Sequence, residues 1–496
     1  MSYRPPFHQH LDGSSMTLGT GPSQALPRLS RGLSLSALSW AGYQGGRDPY
    51  ITLVSIYVFM PYVATVMVGD VVKGQSIIAT YGMVGGLIAA LTAPLLGAAI
   101  DRMGRRLPML FAFSLLFAPL VMGLWWAKPD GSGLSVNATL IVVLLISLLF
   151  TYGEVLHNSL MPYAAVSAVD SAAMSGVALA VGNVVSVAAL IFVLWAFALP
   201  GKVHWSLVPA APLFGLDARM AEPSRVAAPI AALLFIVGVV PMFLFTRDAP
   251  RQAANLPASF RGGFRDLRAL FANVRQHREV AIFLAARTLY SDAQIALITF
   301  SGIYAAGVMH WSVMPMLAFG VLMSSFAALG GLVASILDRV FGPKRAAQIE
   351  LIGTILGIVA LLSISPTGMR FVFTLQANAP PLWNGPLFTT IPELMFLALG
   401  GLVAVFNTAL FASSRTFLAR ITPPGQSGTF FGLYALAGTA TVWLGPLAVK
   451  VAVSAFHSQQ AGNVAIAVLM LGGLLILSMV NMPGSSGRFA AKLPTG

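Results

Sequence analysis

The sequence contains no cysteine among its 496 residues, which excludes disulfide bonds, thiolate metal sites and cysteine nucleophiles. Charged side chains make up only 9% of the chain, whereas a soluble globular domain has about 25%. Hydrophobic residues account for 57% of the sequence, and the mean hydropathy is +0.81. This shortage of charge indicates a membrane protein rather than a soluble domain.

The sequence motifs of common enzyme classes are also missing. It contains no Walker loop, no H-E-x-x-H and no G-x-S-x-G. We therefore expect a protein that is not an enzyme and needs no cofactor. Without an ATP-binding loop, an ATP-driven pump is disfavoured, and a proton gradient is the expected driving force.

Basic residues outnumber acidic ones and give a formal net charge of +13. They lie in short segments between apolar runs and form no basic surface interleaved with aromatic residues, so we expect no nucleic-acid partner. The N-terminal segment is rich in Ser, Pro and Gly and lacks the apolar core of a signal peptide. Residues 1–45 are predicted to form a disordered cytoplasmic tail.

Long apolar runs dominate the rest of the chain, and each predicted transmembrane helix needs about 20 such residues. The sequence predicts an all-α polytopic membrane protein with twelve transmembrane helices. The predicted spans are 50–69, 75–99, 107–127, 138–162, 174–199, 226–246, 280–306, 313–337, 346–364, 389–413, 429–452 and 461–482.

The distribution of Lys and Arg predicts the orientation. With these spans, 21 of the 29 basic residues fall on one face of the membrane and six on the other. Because basic loops stay in the cytoplasm, both termini are predicted to be cytoplasmic. The expected location is the inner or plasma membrane.

A short charged loop, Gly97-Ala-Ala-Ile-Asp101-Arg102-Met-Gly104-Arg105-Arg106, joins the second and third spans. The pattern G-x-x-x-D-R-x-G-R-R resembles the signature loop between helices 2 and 3 of the major facilitator superfamily. A related segment with Asp338, Arg339 and Gly342 follows the eighth span. Asn158 and Asn407, near the ends of spans 4 and 10, form another repeated pair. These repeats predict two pseudo-symmetric six-helix halves around a central cavity.

Further segments resemble one branch of that superfamily, the vacuole-effluxer-like proteins. They are Trp40-Ala-Gly-Tyr43, Glu154-Val-Leu-His-Asn158 with Pro162, and Phe430-Phe-Gly-Leu-Tyr434-Ala-Leu-Ala-Gly438 with Leu444-Gly-Pro446. The resemblance implies amino-acid efflux, because eukaryotic members are linked to amino-acid export from the vacuole. Gln44 and Thr439 depart from the branch, which usually has Asp and often has Lys at those places. Any role of those charges is therefore in doubt for this chain.

Ionisable side chains inside spans are costly and mark candidate transport residues. Glu154 and Arg287 lie at similar depths in spans 4 and 7, which line the cavity in the superfamily that the sequence resembles. They either pair across the cavity or are each paired locally. Asp292, near the middle of span 7, suits a proton carrier because burial penalises its charged form. Asn158 and Asn407 suit interhelical hydrogen bonds or substrate binding, whereas His157 is expected to pack.

The loop between spans 2 and 3 is the candidate gate. Asp101 is predicted to face the N-terminus of span 11, near 427–430, and to stabilise it by about 0.3–1 kcal/mol through the helix dipole. Gly97, Arg102, Gly104, Arg105 and Arg106 complete this loop. Asp338 and Arg339 are predicted to play the mirrored role at the start of span 5, near Asp170.

The predicted domains are an N-terminal half at 46–246, a cytoplasmic linker at 247–278, a C-terminal half at 279–482 and a tail at 483–496. The linker contains an apolar stripe with Arg beside it, which favours an amphipathic helix on the membrane surface over a solvated linker.

Together these features predict a monomeric secondary transporter in a lipid bilayer that moves a small polar metabolite by alternating access, coupled to protons. Amino acids come first by the family resemblance. The alternative is a membrane sensor or scaffold that keeps the fold without transporting.

Overall fold

The computed structural model describes residues 33–103, 105–164, 168–203, 205–248, 250, 277–370, 373–374, 380–421, 433–434, 437–438 and 441–481. At 94, 97–103, 162, 168–173, 175–176, 373–374 and 419 the description covers the backbone only. Most of the predicted N-terminal tail, the linker's amphipathic helix, the C-terminal tail, Gly104 and Thr439 lie outside the described residues, as do the side chains of Asp101, Arg102 and Asp170.

Twelve apolar helices, α1 to α12, account for most of the described chain, as the composition predicts. Their bounds are Leu35–Met67 (α1), Val71–Met103 (α2), Leu107–Gly123 (α3), Val136–Ala164 (α4), Ala168–Val193 (α5), Ala227–Phe245 (α6), Arg278–Met309 (α7), Val313–Phe341 (α8), Pro343–Leu362 (α9), Ile391–Ile421 (α10), Leu444–Phe456 (α11) and Gln459–Ser478 (α12).

Eleven of the described helices are long and apolar enough to cross a membrane, and α11 is the shorter twelfth. The predicted eleventh span starts at 429, and much of its first half is outside the described residues. Large apolar side chains such as Leu91, Leu115 and Val184 are exposed. In water such an apolar surface would promote aggregation, but it is the surface that a helix bundle presents to lipid. The predicted fold class, an all-α polytopic membrane protein, is confirmed.

The first helix starts much earlier than predicted. Ser34 caps it by accepting a hydrogen bond from the Ala37 backbone N–H at 3.2 Å, as Ser commonly does at a helix N-terminus. The predicted start at residue 50 and the assignment of 35–45 to a disordered tail are therefore wrong. Arg47 and Asp48 lowered the apparent hydropathy of this segment, although both lie within the helix.

Beyond Pro49 the first helix is irregular. Pro49 has no backbone N–H and therefore cannot donate a hydrogen bond to the preceding turn. The segments Tyr50–Tyr57 and Val63–Met67 are π-helical. Wider turns of this kind are frequent at functional sites. Thr52 and Tyr57, in the first of these segments, line the cavity described below.

The basic end of the bundle is where α2 meets α3 and α8 meets α9, and it carries Arg105, Arg106, Arg339, Lys344 and Arg345. At the other end, called the opposite end, three short antiparallel strands follow α9: Ile364–Ser365, Gly368–Met369 and Phe373–Thr374. The first two are paired with Ile364 opposite Met369. This sheet lies in a region predicted only as span and loop.

Among the described residues, several contacts between the first six helices and the last six lie toward the opposite end. Ser76 of α2 and Ser454 of α11 share a hydrogen bond of 2.8 Å. In α7, Gly302 packs against the Ile56 carbonyl of α1 so closely that a Cβ would overlap it. Gly320 of α8 lies against Tyr57 and Leu190. These contacts close the interface between the halves at the opposite end.

Candidate functional site

A cavity of about 270 Å³ lies where the two halves meet, on the opposite-end side of the bundle's middle. Helices α1 and α5 form one wall of it, and helices of the C-terminal half form the rest. Its polar lining residues are Thr52, Tyr57, Asn183, Ser301, Tyr304, Ser324, Asn407, Thr408 and Asn463. Among the described lining residues there is no Asp, Glu, Lys, Arg or His. The volume is close to the lower end of the range for small-molecule sites, about 300–1,000 Å³.

Three of these lining residues carry polar atoms that are buried and have no hydrogen-bond partner among the described residues. The atoms are Asn407 Oδ1, Asn463 Oδ1 and the Tyr304 hydroxyl. An unpaired buried polar atom costs about 1–3 kcal/mol, so such groups are rare unless water or a ligand completes them. The cavity is therefore equipped to bind a solute through hydrogen bonds.

Asn407 is the one predicted transport residue that lines the cavity. Its backbone carbonyl accepts a hydrogen bond from Gln294 Nε2 of α7 at 2.8 Å. That bond fixes α10 against α7, and the side-chain oxygen is left for another partner.

Arg287 and Glu154 do not pair with each other. Arg287 Nη1 donates to the backbone carbonyl of Tyr434 at 2.8 Å, and its guanidinium lies 3.4 Å from the centre of the Tyr434 ring. Glu154 Oε2 lies 3.8 Å from Nη1 of Arg47 in α1. The alternative of local pairing is the one that the structure supports, and the hypothesis of an Arg–Glu pair across the cavity is wrong.

Asp292 is 1% exposed and lies near the middle of α7, as predicted. Its Oδ2 accepts a hydrogen bond from the backbone N–H of Gly445 at the start of α11, while Oδ1 is buried without a partner among the described residues. No basic side chain forms an ion pair with it among the described residues. Asp292 is therefore a buried acid with a backbone N–H, rather than a cation, beside its carboxylate among the described residues.

Arg47 is a buried charge that the sequence analysis missed. It is 6% exposed and contacts Asp48 at 3.3 Å and the Phe150 ring at 4.7 Å. Gln44 donates to both carboxylate oxygens of Asp48 at 2.9 Å. The cluster of Gln44, Arg47, Asp48 and Glu154 is called the α1–α4 cluster below. The predicted first span starts at residue 50, which left Arg47 outside the membrane, and only its place inside α1 reveals its contacts.

His157 packs as predicted, between Trp40 and Tyr43. Its ring stacks on theirs with centroids 4.1 and 4.4 Å away. Its Nε2 lies 2.9 Å from the Trp40 carbonyl, and Trp40 Nε1 donates to the His157 carbonyl at 2.8 Å. Asn158, one residue further on, is exposed and is not among the residues that line the cavity.

In the predicted gating loop the described side chains are those of Arg105, which is exposed, and Arg106, which is 5% exposed. The Arg106 guanidinium lies 4.9 Å from the centre of the Tyr163 ring. The Arg106 backbone N–H donates to Asp248 Oδ1 at 2.9 Å. The backbone at Gly97 and Asp101 belongs to the last turns of α2. Asp248 thus caps the start of α3, which the sequence analysis did not anticipate.

The second copy of the loop borders a groove of about 400 Å³ between α8 and α10 at the basic end, lined by Asp338, Arg339 and Arg420. Glu350 of α9, also missed from the sequence, is fully buried and accepts a hydrogen bond from Ser413 at 2.8 Å. Among the described residues, no group of three or more acidic or His side chains could hold a metal ion.

The sequence model of a protein family described as "Vacuole effluxer Atg22 like" matches residues 62–488. The chain belongs to this Atg22-like family. Autophagy-related protein 22-2 of Emericella nidulans is 26% identical over 204 residues, which are 41% of this chain and 32% of that protein. Autophagy-related protein 22-1 of Aspergillus clavatus is 27% identical over 270 residues, covering 51% and 42% respectively. The matched segments thus span less than half the length of these fungal relatives.

Solved structures show the fold of this Atg22-like protein. A mutant of the nucleoside transporter NupG superposes with a TM-score of 0.61 at 15% identity, over 90% of this chain and 98% of that one. The inward-open xylose transporter XylE from E. coli gives 0.58 at 13% identity, over 92% and 97%. The family and fold are those of multi-pass membrane transporters, not of enzymes, and the predicted major facilitator fold is confirmed.

The structure of the Atg22-like chain explains why residue 438, one of those that carry the family resemblance, is a glycine. A Cβ at this position would lie 3.0 Å from Nη1 of Arg287. The absence of a side chain therefore leaves room for the guanidinium that binds Tyr434. Gln44, one of the two departures from the family pattern, donates a hydrogen bond from its neutral amide to Asp48.

Proposed function

We propose that this protein is a secondary active transporter that moves a small polar metabolite by alternating access between its two six-helix halves, driven by a proton gradient. The observation that carries the proposal is the small polar cavity between the halves, next to interface contacts that close the opposite end. Such a cavity, reached from one side at a time, is what rocking of two halves requires.

Amino acids are one substrate class for this proposal because of the family resemblance. The membrane is proposed to be the cell membrane, with both termini in the cytoplasm, so that the basic end faces the cytoplasm. A monomer is proposed to be sufficient, since one chain supplies both halves.

Asp292 and Glu154 are the proposed proton carriers. Asp292 is supported by its burial and by an oxygen without a partner. Glu154 is supported by a side chain that is 46% exposed, which gives protons a route to it. Both acids lie in helices of the family's cavity-lining set, α7 and α4.

Reconstitution into proteoliposomes tests the proposal. Radiolabelled amino acids, sugars and nucleosides are supplied with and without an imposed pH gradient, and uptake that follows the gradient is expected for at least one class. Binding of a solute without flux under any gradient would contradict transport and favour a membrane sensor.

The gate is tested in the same preparation. Because the chain has no cysteine, single cysteines introduced at each end of the bundle report accessibility without background. Asp101→Asn is expected to increase labelling at the basic end, since the proposed contact of Asp101 with the start of span 11 is lost. Arg105→Gln serves as a neighbouring comparison. Unchanged labelling at both ends would contradict the gate.

A further inference from the structure

The predicted transport site contained charged side chains, whereas the described lining of the cavity between the halves contains none. Its described lining contains amides, hydroxyls and apolar side chains but no acidic or basic group. Three buried ionisable side chains of the bundle have partners elsewhere: Arg47 with Asp48, Arg287 with Tyr434, and Asp292 with Gly445.

This distribution of charge bears on the solute. A carboxylate or ammonium group taken out of water needs an opposite charge or a dense set of hydrogen bonds, and otherwise it stays in water. A zwitterionic amino acid brings both groups. A solute that carries hydroxyl or amide groups and no formal charge needs only hydrogen bonds.

The unpaired polar atoms match a solute of the second kind. Asn407 of α10, Asn463 of α12 and Tyr304 of α7 lie on three different helices around one cavity. Two of their unpaired atoms are amide oxygens, which accept hydrogen bonds, and the third is a hydroxyl, which also donates. Hydroxyl groups of a solute can satisfy all three.

We infer that the cavity binds an uncharged, hydroxyl- or amide-bearing solute through Asn407, Asn463 and Tyr304. This inference rests on the proposed function for its physiological meaning, but binding itself can be measured without transport. Within the proposed transporter it places uncharged metabolites ahead of amino acids.

Among the described residues, Arg370 is the basic residue whose charge acts on Tyr304. Arg370, exposed near the short strands at the opposite end, interacts electrostatically with the Tyr304 hydroxyl. It is not among the residues that line the cavity. Since Arg370 is the positive charge acting on this wall of the cavity, Arg370→Gln gives the test a variant that separates anionic from uncharged solutes.

The test measures binding to the full-length protein in detergent by calorimetry and thermal shift. Two matched probe sets change charge at nearly constant shape. D-glucose is compared with D-glucuronate and D-glucosamine, and N-acetyl-L-leucinamide is compared with zwitterionic L-leucine. Uridine is added as a larger uncharged probe. At least one uncharged probe is expected to bind roughly tenfold more tightly than its charged counterparts.

Variants then assign the binding to the cavity. Asn407→Leu, Asn463→Leu and Tyr304→Phe are each expected to weaken binding of the uncharged probe by roughly tenfold. Asn137→Leu removes the same amide from the exposed start of α4 and is expected to leave binding unchanged, as is Arg370→Gln. Thermal unfolding of each variant without solute shows whether it is folded.

Tighter binding of a charged or zwitterionic probe would overturn the inference, and so would the absence of binding by every uncharged probe. Loss of binding in Arg370→Gln with no effect in the three cavity variants would also overturn it. Amino-acid flux without binding of uncharged solutes would refute this inference while leaving the proposed transport intact. Binding of an uncharged solute without any flux would do the reverse.

Discussion

Two buried arginines, one in the first helix of each half, have opposite kinds of partner. In the N-terminal half, Arg47 lies between the carboxylates of Asp48 and Glu154. In the C-terminal half, Arg287 binds a neutral carbonyl and an aromatic ring, while the acids Asp292 and Glu350 accept hydrogen bonds from a backbone N–H and a hydroxyl. The buried cation of α1 thus has carboxylate partners, whereas Arg287, Asp292 and Glu350 form no ion pair in the described part of the C-terminal half.

This difference has a functional consequence. Arg47 offsets the negative charge of the carboxylates beside it in the α1–α4 cluster. Asp292, in contrast, has neutral hydrogen-bond partners in the described part of the chain, and burying a charge without a partner is costly. Of the two proposed proton carriers, Glu154 therefore has an arginine partner, whereas Asp292 has none among the described residues, and substitutions can test each proposal.

The largest effect is expected for Arg47→Met. The substitution removes the cation of the α1–α4 cluster and leaves Asp48 partly buried without it, which should destabilise the protein by about 3 kcal/mol. Chemical unfolding in detergent, followed by tryptophan fluorescence, measures this. Arg47→Lys is the control and should recover part of the loss. Equal stability of Arg47→Met and the unaltered protein would show that the cluster is not a stabilising pair.

A smaller loss is expected for Arg287→Met. It removes the hydrogen bond to Tyr434 and the contact with its ring, worth about 2 kcal/mol, but leaves no carboxylate without its cation. The same unfolding assay compares it directly with Arg47→Met. A larger loss than for Arg47→Met would reverse the comparison between the halves.

Asp292→Asn should change stability by less than about 1 kcal/mol, since an amide oxygen can accept the same hydrogen bond from Gly445. Its effect should instead appear in transport, where uptake is expected to lose its response to an imposed pH gradient. Exchange of solute across equal pH is the control and should persist. Uptake that still follows the gradient would remove Asp292 as the proton carrier.

The smallest effect is expected for Glu154→Gln. The Glu154 side chain is 46% exposed and 3.8 Å from Arg47, so its pair should contribute about 0.5 kcal/mol. Chemical unfolding measures the contribution of this pair to stability. Uptake under a pH gradient shows whether Glu154 also carries protons. Loss of gradient-driven uptake in this variant but not in Asp292→Asn would move proton coupling from the C-terminal to the N-terminal half.

Prediction from the sequence succeeded where the signal is summed over many residues. The helices α2 to α10 lie close to their predicted spans because about 20 consecutive apolar side chains outweigh any single exception. It failed at α1, where Arg47 and Asp48 are adjacent in the sequence and interrupt the apolar run. Hydropathy counts both as costly, although each neutralises much of the other's cost.

The candidate site was less predictable for a related reason. Ionisable residues inside spans were taken as cavity residues, but Glu154, Arg287 and Asp292 each bind a neighbouring helix. Of the predicted transport residues, Asn407 lines the cavity, and Tyr304 and Asn463 had no sequence signal that distinguished them from other polar residues in spans. Glu350 lies inside a predicted span, just after a positively charged loop, and was not among the predicted transport residues.

The sequence by itself determined that this chain is a helical membrane protein with two repeated halves and the loop pattern of a transporter superfamily. Hydropathy and motif spacing are local or periodic properties, so they are readable without coordinates. Only the tertiary structure decided which buried charges meet, that the cavity lining among the described residues carries no charge, and where the halves touch. Those facts depend on which faces of distant helices are packed together, and a side chain's partner is set by that packing rather than by its neighbours along the chain.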